Sequence, residues 1–342
     1  MVEVAGQGIN TAKGLRENGI DASMVVWKEN NLADSSDAVL HIDFSIKKDK
    51  FKNIIKMLLF TIKSFFCFDV FHIHSGCSLT PYCFELYFLK FFRKKLFAEF
   101  HGSDIRFLFN HDIKYAYFNE EPAFYSKYKK RAERIINNAD GIILHDYELD
   151  AHLPKEIKKS DIYHVPLRVK VNEIKVNYPD KTKEDKPIIV HAPSSRSKKG
   201  TNQILAALKK VKSEYELVLV EGKTHDEAME IYSKADIVID QISLGTYGVF
   251  AIEAMAMGKP VITYMSDDMI ERMPDTLPII SSDFDSLPSV VEKLINDPQL
   301  RYNKGALGRK YVERYHDYKK VTALLSKIYL GNIENNDLFQ LL

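Results

Sequence analysis

The sequence predicts an α/β protein made of two doubly wound halves, and three observations carry this prediction. The chain has 342 residues, which is enough for about two domains at roughly 150 residues each. Short β-branched runs alternate with amphipathic stretches along most of its length, as in the βαβ units that build a parallel sheet. Residues 169–186 are charged, contain Pro179 and lack hydrophobic periodicity, so they form the predicted linker between the halves.

The first half (residues 1–168) begins abruptly. The first eight residues lead almost at once into a helical pattern, so residues 1–4 are too short for a normal first strand. We therefore expect a truncated start or a shortened sheet, with its edge and some apolar surface exposed. Beyond this start, β-branched and aromatic runs predict strands, and apolar residues three or four apart predict helices. The predicted strands are 22–27, 69–74, 95–101, 139–145 and 161–165, and the predicted helices are 54–66 and 82–92.

The second half (residues 187–316) repeats the alternation more regularly. A last helical segment, residues 317–342, is expected to cross back to the first half. The predicted strands are 187–191, 215–221, 236–241 and 260–264, and the predicted helices are 201–211, 226–234, 247–257, 287–296, 300–315 and 318–329. Doubly wound sheets bind ligands at the carboxyl ends of their strands, so we expect the site there, in a cleft between the halves.

The composition excludes several classes of protein. With 48 basic and 47 acidic residues the net charge is +1, whereas a general nucleic-acid binder carries a strong basic excess. The three cysteines form no CxxC pair, so neither a disulfide framework nor a zinc cluster is expected, and a reducing, cytoplasmic setting fits best. The most apolar stretch, residues 57–71, is interrupted by Lys63 and Asp69, so we expect no transmembrane helix, and we expect no signal peptide.

The most informative segment runs from a predicted strand end at Asp240, through the Gly-Thr-Tyr-Gly turn of residues 245–248, into a helix that is apolar almost all round. Such a helix is buried, and it contains Glu253. A buried carboxylate needs partners, and the two vicinal hydroxyls of a ribose would satisfy both of its oxygens. Gly245 and Gly248 let backbone amides at the helix start approach an anion. A core helix whose glutamate pairs with a nearby arginine or lysine explains the same residues.

A second segment, residues 191–201, connects a strand to a helix and contains three basic residues, Arg196, Lys198 and Lys199, before Gly200. Fixed cations together with free amides at a helix start suit a diphosphate. The GxxxxGK[ST] spacing of a Walker loop is absent. A solvated basic loop is the alternative interpretation.

A third segment follows a strand of the first half and places His101, Asp104 and Arg106 at the strand end, where α/β proteins gather polar site residues. His74, at the end of the preceding strand, is interpreted as a residue of the cleft edge. A histidine at a strand end is also often structural, so the density of polar residues is what favours a site here.

Together these segments resemble the retaining GT-B glycosyltransferases of the family-4 kind. That family has a glutamate, Gly-Phe-Gly, and a second glutamate eight positions after the first, followed by Ala-Met-Ala-x-Gly-x-Pro-Val. Residues 246–261 (Thr-Tyr-Gly-Val-Phe-Ala-Ile-Glu-Ala-Met-Ala-Met-Gly-Lys-Pro-Val) are similar. The family's phosphate, histidine and glycine loops resemble Lys199-Gly200, residues 101–106 and residues 5–8. The resemblance covers nearly the whole chain and implies a GT-B fold, in which two Rossmann-like domains face a cleft.

The resemblance implies transfer of a hexose from a nucleoside diphosphate sugar to a glycan or lipid-linked acceptor, with retention of configuration and without a metal ion or other cofactor. It implies that Lys199 and Arg196 hold the diphosphate, that His101 contacts the donor sugar, and that these three are the catalytic residues, because they stabilise the departing charge. Glu253 would hold the ribose. The other implied donor-binding residues are Gly200, Glu221, Gly245, Thr246, Tyr247, Gly248 and Val249, and the implied acceptor or cleft residues are Gly6, Gly8, His74, Asp104 and Arg106.

Two positions depart from the family's pattern. Gly245 stands where the family has its first glutamate, which orients the donor hexose, and Asp240 or Gln241 could substitute for it. Ser194 stands where the family has an arginine five residues before the loop lysine, and Arg196 would replace it. Two alternatives therefore stay open: a non-catalytic GT-B subunit that partners another transferase and, less favoured, a sugar-nucleotide epimerase on the same fold.

Two stretches of the first half mix basic residues with aromatic and aliphatic ones. Residues 46–63 contain six lysines and one aspartate, and residues 84–97 contain three lysines and one arginine among aromatic residues. Basic, aromatic amphipathic helices attach peripheral enzymes to anionic membranes, so contact with the inner face of a membrane is one expectation. An ordinary helix with a solvated lysine face explains the same pattern.

Overall fold

The computed structural model describes residues 4–28, 36–42, 47–76, 78–80, 83–110, 125–182, 186–333 and 335–342. These residues fold into two compact units, each built on its own parallel sheet. The first unit is formed by the described residues of Met1–Ile113, Pro122–Arg168 and Tyr318–Leu342, and the second by those of Val169–Asp317. The α/β class predicted from the sequence is confirmed.

Strands and helices alternate along both units, apart from a few short 3-10 helices. The strands are β1 (Val25–Val26), β2 (Ala38–Val39), β3 (Val70–His74), β4 (Lys95–Phe100), β5 (Gly141–Leu144), β6 (Ile162–His164), β7 (Ile188–His191), β8 (Glu216–Leu219), β9 (Ile237–Ile239), β10 (Val261–Thr263) and β11 (Ile280–Ser281). The helices are α1 (Gln7–Glu17), α2 (Lys50–Cys67), α3 (Glu85–Phe91), α4 (Tyr125–Ile136), α5 (Arg196–Lys199), α6 (Thr201–Leu208), α7 (His225–Ser233), α8 (Val249–Ala256), α9 (Asp267–Arg272), α10 (Leu287–Asn296), α11 (Pro298–Tyr315) and α12 (Tyr318–Leu330).

A four-stranded parallel sheet in the order β3-β4-β5-β6 forms the centre of the first unit. Successive residues of a strand point to opposite faces, so Leu96 and Ala98 of β4 pack in a buried cluster with α3 and α4. Phe97 packs in a second cluster with Leu15 of α1 and Leu325 of α12. Helices therefore cover both faces, as is typical of parallel sheets. β1 and β2 form a separate parallel pair.

A five-stranded parallel sheet in the order β11-β10-β9-β7-β8 forms the centre of the second unit. Ile189 of β7 and Ile239 of β9 pack in a buried cluster with Ile204 of α6 and Val291 of α10. The apolar helix α8 is buried from Ala251 to Ala256, as its sequence predicts. The order places β7 and β9 side by side, so the segments that follow these two strands are neighbours.

The segments at the unit boundaries each pack on one unit. Residues 169–182, part of the predicted linker, pack on the second unit: the Val169 N–H donates to the His316 carbonyl and the Asn177 N–H to the Met257 carbonyl, both at 2.9 Å. Helix α12 packs on α1 of the first unit. The helices approach so closely that a Cβ added at Gly14 would lie 2.2 Å from Thr322 Oγ1.

The structure differs from the sequence prediction mainly in short or polar elements. Helices α4, α5 and α9 and strands β2 and β11 were not predicted. α9 has six residues and β11 has two, which is too few to show a hydrophobic period, and α4 is strongly polar. Among the residues described from position 4 onward, no strand precedes α1. In the described segments no helix is long and apolar enough to cross a bilayer.

Candidate functional site

A buried ion pair joins the loop after β7 to the end of β9. Asp240 directly follows β9 and is fully buried, and the Lys199 ammonium donates to Asp240 Oδ1. The Gly248 N–H at the start of α8 donates to the second oxygen, Asp240 Oδ2, at 3.1 Å. The first N–H groups of a helix have no partner within it, and Asp240 satisfies this one. Lys199, Asp240 and the start of α8 therefore meet at the carboxyl edge of the second sheet.

The backbone around this pair depends on glycine. Gly200 joins α5 to α6 with a φ of 72°, and a Cβ there would lie 2.5 Å from Phe284 Cζ and 2.7 Å from Ser243 Oγ. The Ser243 hydroxyl is buried and has no hydrogen-bond partner in the part of the chain that the structure describes. Gly245, which stands at the family's first glutamate, has a φ of 74° that disfavours any side chain. The Ser243 hydroxyl and the start of α8 thus lie beside the Lys199 loop.

Glu253 is buried in α8, and its carboxylate pairs with a histidine. His225 Nε2, at the start of α7, lies 2.8 Å from Glu253 Oε1, and the His225 side chain is half-exposed. Burial, and then the charges of Glu253 and Asp240, raise the pKa of Tyr232, so both carboxylates lie near one phenol. The arginine or lysine partner considered from the sequence alone is not the partner observed. His225 lies 28 positions before Glu253, so only the fold reveals this contact.

Arg196 and Glu221 form an exposed pair at the same edge. Arg196 Nε lies 2.8 Å from Glu221 Oε1, and Nη2 lies 2.7 Å from Oε2. Arg196 therefore pairs with an exposed carboxylate, whereas Lys199 pairs with the buried carboxylate of Asp240.

Sequence reasoning missed His191, which is buried between Ile239 O and Thr201 Oγ1, each 2.9 Å from a ring nitrogen. Burial lowers the pKa of His191, which keeps the ring neutral where it ties β7 to β9 and α6.

The turn before α8 is held by hydrogen bonds of its own. The Gln241 side-chain amide donates to the Thr246 carbonyl at 2.6 Å. The Tyr247 hydroxyl lies 3.1 Å from the Tyr311 hydroxyl and 3.0 Å from His316 Nε2. Gln241 and the Tyr247 side chain therefore fix the turn that leads to Gly248 and Val249 at the start of α8.

Three parallel strands of the first unit end in histidines whose rings stack. His74 ends β3, His101 follows β4 and His145 follows β5. The ring centroids of His74 and His101 lie 5.4 Å apart, and those of His101 and His145 lie 6.0 Å apart. His72 stacks on His74 at 4.3 Å. Sequence reasoning identified His74 and His101; His145 has the same position after its strand and could have been found by that signal.

A fully buried ion pair lies beneath the histidines. Arg168 Nη2 lies 2.6 and 2.7 Å from the two oxygens of Glu99, and His72 Nε2 lies 3.1 Å from Glu99 Oε2. Burial would raise the pKa of Glu99, but the charge of Arg168 and the three surrounding histidines together outweigh burial and hold the pKa well below its usual range. Burial lowers the pKa of His101 to about 3, so this ring is neutral at pH 7.

One group of ligand atoms in the described residues is close enough together to hold a metal ion. Those of His72, His74 and Glu99 lie within 4.8 Å of one another. The Glu99 carboxylate, however, is already neutralised by the Arg168 guanidinium, and a second cation would lie against that positive charge. The donor set therefore suits a structural ion pair better than a metal.

The loop after β4 is locked by Asp104 and Arg106. Asp104 accepts the His101 N–H at 2.9 Å, and burial raises the pKa of Asp104 to about 6. Arg106 Nε lies 3.1 and 3.0 Å from the two oxygens of Glu148. A Cβ at Gly102 would lie 2.0 Å from Arg106 Nη1, so only glycine allows this arrangement. Both predicted cleft residues hold the backbone that carries His101.

The glycine loop at the chain start is tied to the same ion pair. Gly6 precedes α1 with a φ of 77°, and Gly8 is buried in its first turn. Gln7 Oε1 accepts the Arg168 N–H at 2.8 Å, and the Asn10 side-chain amide donates to the Arg168 carbonyl at 2.9 Å. The start of α1 therefore lies beside Arg168, which carries the Glu99 pair.

Comparison with known proteins shows a match of fold. No protein-family model matches the chain, and no curated protein matches it significantly. Sucrose-phosphate synthase from Thermosynechococcus elongatus has a TM-score of 0.69 at 15% identity, over 94% of this chain and 91% of that chain. A glycosyltransferase from Rickettsia africae ESF-5 has a TM-score of 0.63 at 15% identity, over 98% and 97%. Anabaena Alr3699/HepE, in complex with UDP-glucose, has a TM-score of 0.64 at 11% identity, over 97% of each chain. The chain therefore has the GT-B glycosyltransferase fold that the resemblance implied.

Proposed function

We propose that this chain is a glycosyltransferase that transfers a hexose from a nucleoside diphosphate sugar to a glycan or lipid-linked acceptor, with retention of configuration. The observation that carries the proposal is the meeting of Lys199, Asp240 and the α8 start at one sheet edge. A buried ammonium, helix amides and the unpaired Ser243 hydroxyl together suit a diphosphate. A solved structure of the same fold holds UDP-glucose, which supports this donor class.

In the proposed complex Lys199 and the amides from Gly248 onward hold the diphosphate. Asp240 binds the same two donors, so a diphosphate would share Lys199 with this carboxylate. Glu253 is assigned to the ribose: His225 contacts Oε1, and we assign Oε2 to a ribose hydroxyl. Arg196 would have to leave Glu221 to reach a phosphate, a contact that exposed side chains give up at little cost.

The proposed chemistry relies on stabilising charge. The bond between the anomeric carbon and the diphosphate oxygen breaks, and the acceptor oxygen bonds to the same face of that carbon. The acceptor proton passes to the departing diphosphate, whose charge Lys199 and the helix amides stabilise. His101 is assigned to the donor sugar as a neutral hydrogen-bonding group, consistent with its low pKa. Three cysteines without a CxxC pair fit a reducing, cytoplasmic setting for this enzyme.

Isothermal titration of the chain with uridine and guanosine diphosphates tests the donor site. We expect one of them to bind, and we expect Glu253→Ala to weaken binding by about tenfold or more, because a hydrogen bond to a charged group is lost. Glu230→Ala, an exposed glutamate of α7, is the matched control and should bind as the unaltered chain does. Undiminished binding after Glu253→Ala would refute the ribose role.

The phosphate role of Lys199 needs a paired variant. Lys199→Met alone leaves the buried Asp240 carboxylate without its cation, at a cost of about 3–5 kcal/mol of stability. The double variant Lys199→Met/Asp240→Asn removes both charges, so we expect it to fold and to lose nucleotide binding. A folded double variant that still binds would contradict the assignment.

A second candidate function rests on Gly245. Its left-handed backbone disfavours the glutamate that orients the donor hexose in the family, so a non-catalytic subunit that partners another transferase is the alternative. The purified chain decides between them: release of the sugar from a bound nucleotide sugar, by transfer or hydrolysis, excludes the subunit. Binding of a nucleotide sugar without release of sugar over a range of acceptors favours it.

A further inference from the structure

Helix α2 is amphipathic, but it turns its apolar side toward solvent. The residues that it buries are Asn53, Met57, Thr61 and Ser64, of which three are polar. The Thr61 and Ser64 hydroxyls donate to carbonyls one turn earlier, so their polar groups are satisfied within the helix. Its large exposed side chains are Phe51, Ile55, Leu58, Leu59, Ile62 and Phe66.

The exposed apolar residues form one stripe. At about 100° per residue, the six side chains fall within an arc of about 100° around the helix axis. Phe66 is 82% exposed and Phe51 is 75% exposed, so the stripe lies open over the full length of the helix. Lys52, Lys56 and Lys63 follow along one border of the stripe. An apolar arc bordered by lysines is the pattern of helices that lie in a membrane interface.

A second group of exposed aromatic residues continues this surface. It lies on and around α3 and consists of Phe84, Tyr87, Phe88, Phe91 and Phe92. The two helices meet at their carboxyl ends, where the Phe65 and Phe92 ring centroids are 6.0 Å apart. We call the two groups together the aromatic–lysine face. It contains eleven of the seventeen large apolar side chains that are exposed in the described part of the chain, so it is a concentrated patch.

The charge around this face is strongly positive. Residues 47–67 and 84–95 contain ten basic and two acidic residues, although the whole chain has a net charge of only +1. One of the basic residues, Lys94, is paired with Asp69. Each lysine or arginine near an anionic bilayer contributes about 1 kcal/mol to binding, so this concentration is a large electrostatic contribution.

We propose that the aromatic–lysine face docks the protein on an anionic lipid bilayer, with the α2 stripe and the α3 aromatics in the interface and the lysines at the head groups. A second copy of the chain fits this face poorly. A two-fold dimer would bring the face against itself, and ten basic residues would meet the same ten. A bilayer with anionic head groups offers both an apolar layer and the opposite charge.

Sedimentation of the full chain with lipid vesicles tests the proposal, without donor or acceptor. We expect binding to vesicles of phosphatidylcholine mixed with phosphatidylglycerol, weak binding to phosphatidylcholine alone, and loss of binding at high salt. Phe66→Ser/Phe91→Ser should reduce the partition coefficient by about tenfold or more, because two aromatic side chains are removed from the interface. Ile270→Ser/Leu307→Ser, a pair of exposed apolar residues of the second unit, is the control and should leave binding unchanged.

The electrostatic part has its own variants. Lys52→Glu/Lys56→Glu should weaken binding to the anionic vesicles by about thirtyfold or more, whereas Lys209→Glu/Lys210→Glu, with the same change of charge in the second unit, should not. In the variant Phe66→Trp, the fluorescence emission of the introduced tryptophan should shift to shorter wavelength when anionic vesicles are added. In the control variant Leu307→Trp, the emission of the introduced tryptophan should not shift.

Two results would overturn the proposal. One is a failure of the unaltered chain to bind anionic vesicles. The other is a concentration-dependent dimer, seen by sedimentation velocity, that Phe66→Ser/Phe91→Ser disrupts, since the face would then serve a second copy. Neither result bears on nucleotide binding, which is measured in the absence of lipid, so the donor proposal fails or stands separately.

Discussion

Burial decides the protonation of the residues at the end of the first sheet. It lowers the pKa of His101 to about 3 and that of His74 well below 6.5, and it raises the pKa of Asp104 to about 6. His145 differs: burial would lower its pKa, but the charge of Asp146, its hydrogen bond to His145 and the charge of Glu99 together raise it. Neighbouring groups at this sheet edge therefore change charge at different pH values, so the free energy of unfolding depends on pH.

We expect substitutions at His101 and Asp104 to change the pH dependence of folding in opposite directions. The unfolded chain protonates His101 below pH 6.5, whereas the folded chain does so only near pH 3. The unaltered residue therefore costs up to about 1.4 kcal/mol of unfolding free energy per pH unit as the pH falls through that window. Asp104 is protonated in the folded chain near pH 6 but in the unfolded chain only near 3.8, so it adds stability as the pH falls from 6 to 3.8.

Urea unfolding at pH 7, 6, 5 and 4 measures how the unfolding free energy of each variant depends on pH. The difference between His101→Asn and the unaltered chain should shift in favour of the variant as the pH falls, and the difference for Asp104→Asn should shift against it below pH 6. Lys209→Gln, an exposed residue of the second unit, serves as the control with no trend. Parallel curves for all three variants would show that burial does not set these pKa values.

For single residues, the sequence predicts candidate site positions better than it predicts the residues with which they pair. His74, His101, Lys199 and Glu253 were identified because each stands at a strand end, in a loop or in an apolar helix. The partners came from the fold: Glu253 pairs with a histidine 28 positions earlier, and Lys199 with an aspartate 41 positions later. No local sequence pattern indicates such pairings, since they depend on which strands become neighbours in the folded sheet.

Among the elements, α11 approaches the backbone that follows α8 so closely that one of its glycines leaves no room for a side chain. A Cβ at Gly305 of α11 would lie 1.9 Å from the carbonyl oxygen of Gly258, which is backbone and cannot move aside. A Cβ at Gly308, one turn later, would meet the flexible Met255 side chain at 3.0 Å. The two glycines look alike in the sequence, but their surroundings differ.

We therefore expect Gly305→Ala to lower the unfolding free energy by about 1–3 kcal/mol, in spite of the higher helix propensity of alanine. Gly308→Ala, the matched control in the same helix, should change it by less than about 1 kcal/mol, since Met255 can adjust. Thermal or urea unfolding of the two variants checks this. Equal effects at both positions would mean that the close approach of α11 to Gly258 does not contribute to stability.

Elements with a strong hydrophobic period were predicted well, but which of their faces is buried was not predicted. Helix α10 has the predicted bounds, 287–296, and β3 agrees within one residue of 69–74. For α2, the periodicity gave a helix, but it did not say that the apolar stripe would face solvent. Periodicity shows that a helix has two unlike faces; only the neighbours of the helix decide which face is buried.

At the scale of the whole molecule, the alternation of strands and helices was sufficient to predict two α/β units. The alternation alone does not show that the first unit combines segments from both ends of the chain. Val321 and Leu325 of α12 pack with Leu15 and Phe97 in one buried cluster, and the Tyr318 hydroxyl donates to Glu17 Oε1 at 2.8 Å. The described residues of the second unit, in contrast, all come from Val169–Asp317 and have their own sheet.

Because of this asymmetry, deletion of residues 318–342 should affect the two sheets differently. The deletion removes α12 from the face of the first sheet that carries Phe97, so we expect amide exchange in β3–β6 to accelerate strongly, because the buried cluster that stabilises those strands is opened. Strands β7–β11 should keep their protection and are the internal control, since no part of the second unit is removed. Hydrogen exchange followed by mass spectrometry compares both sheets in one sample. Unchanged protection of β3–β6 would show that the first sheet is stable without its C-terminal helix, and equal loss in both sheets would show that the two units unfold as one.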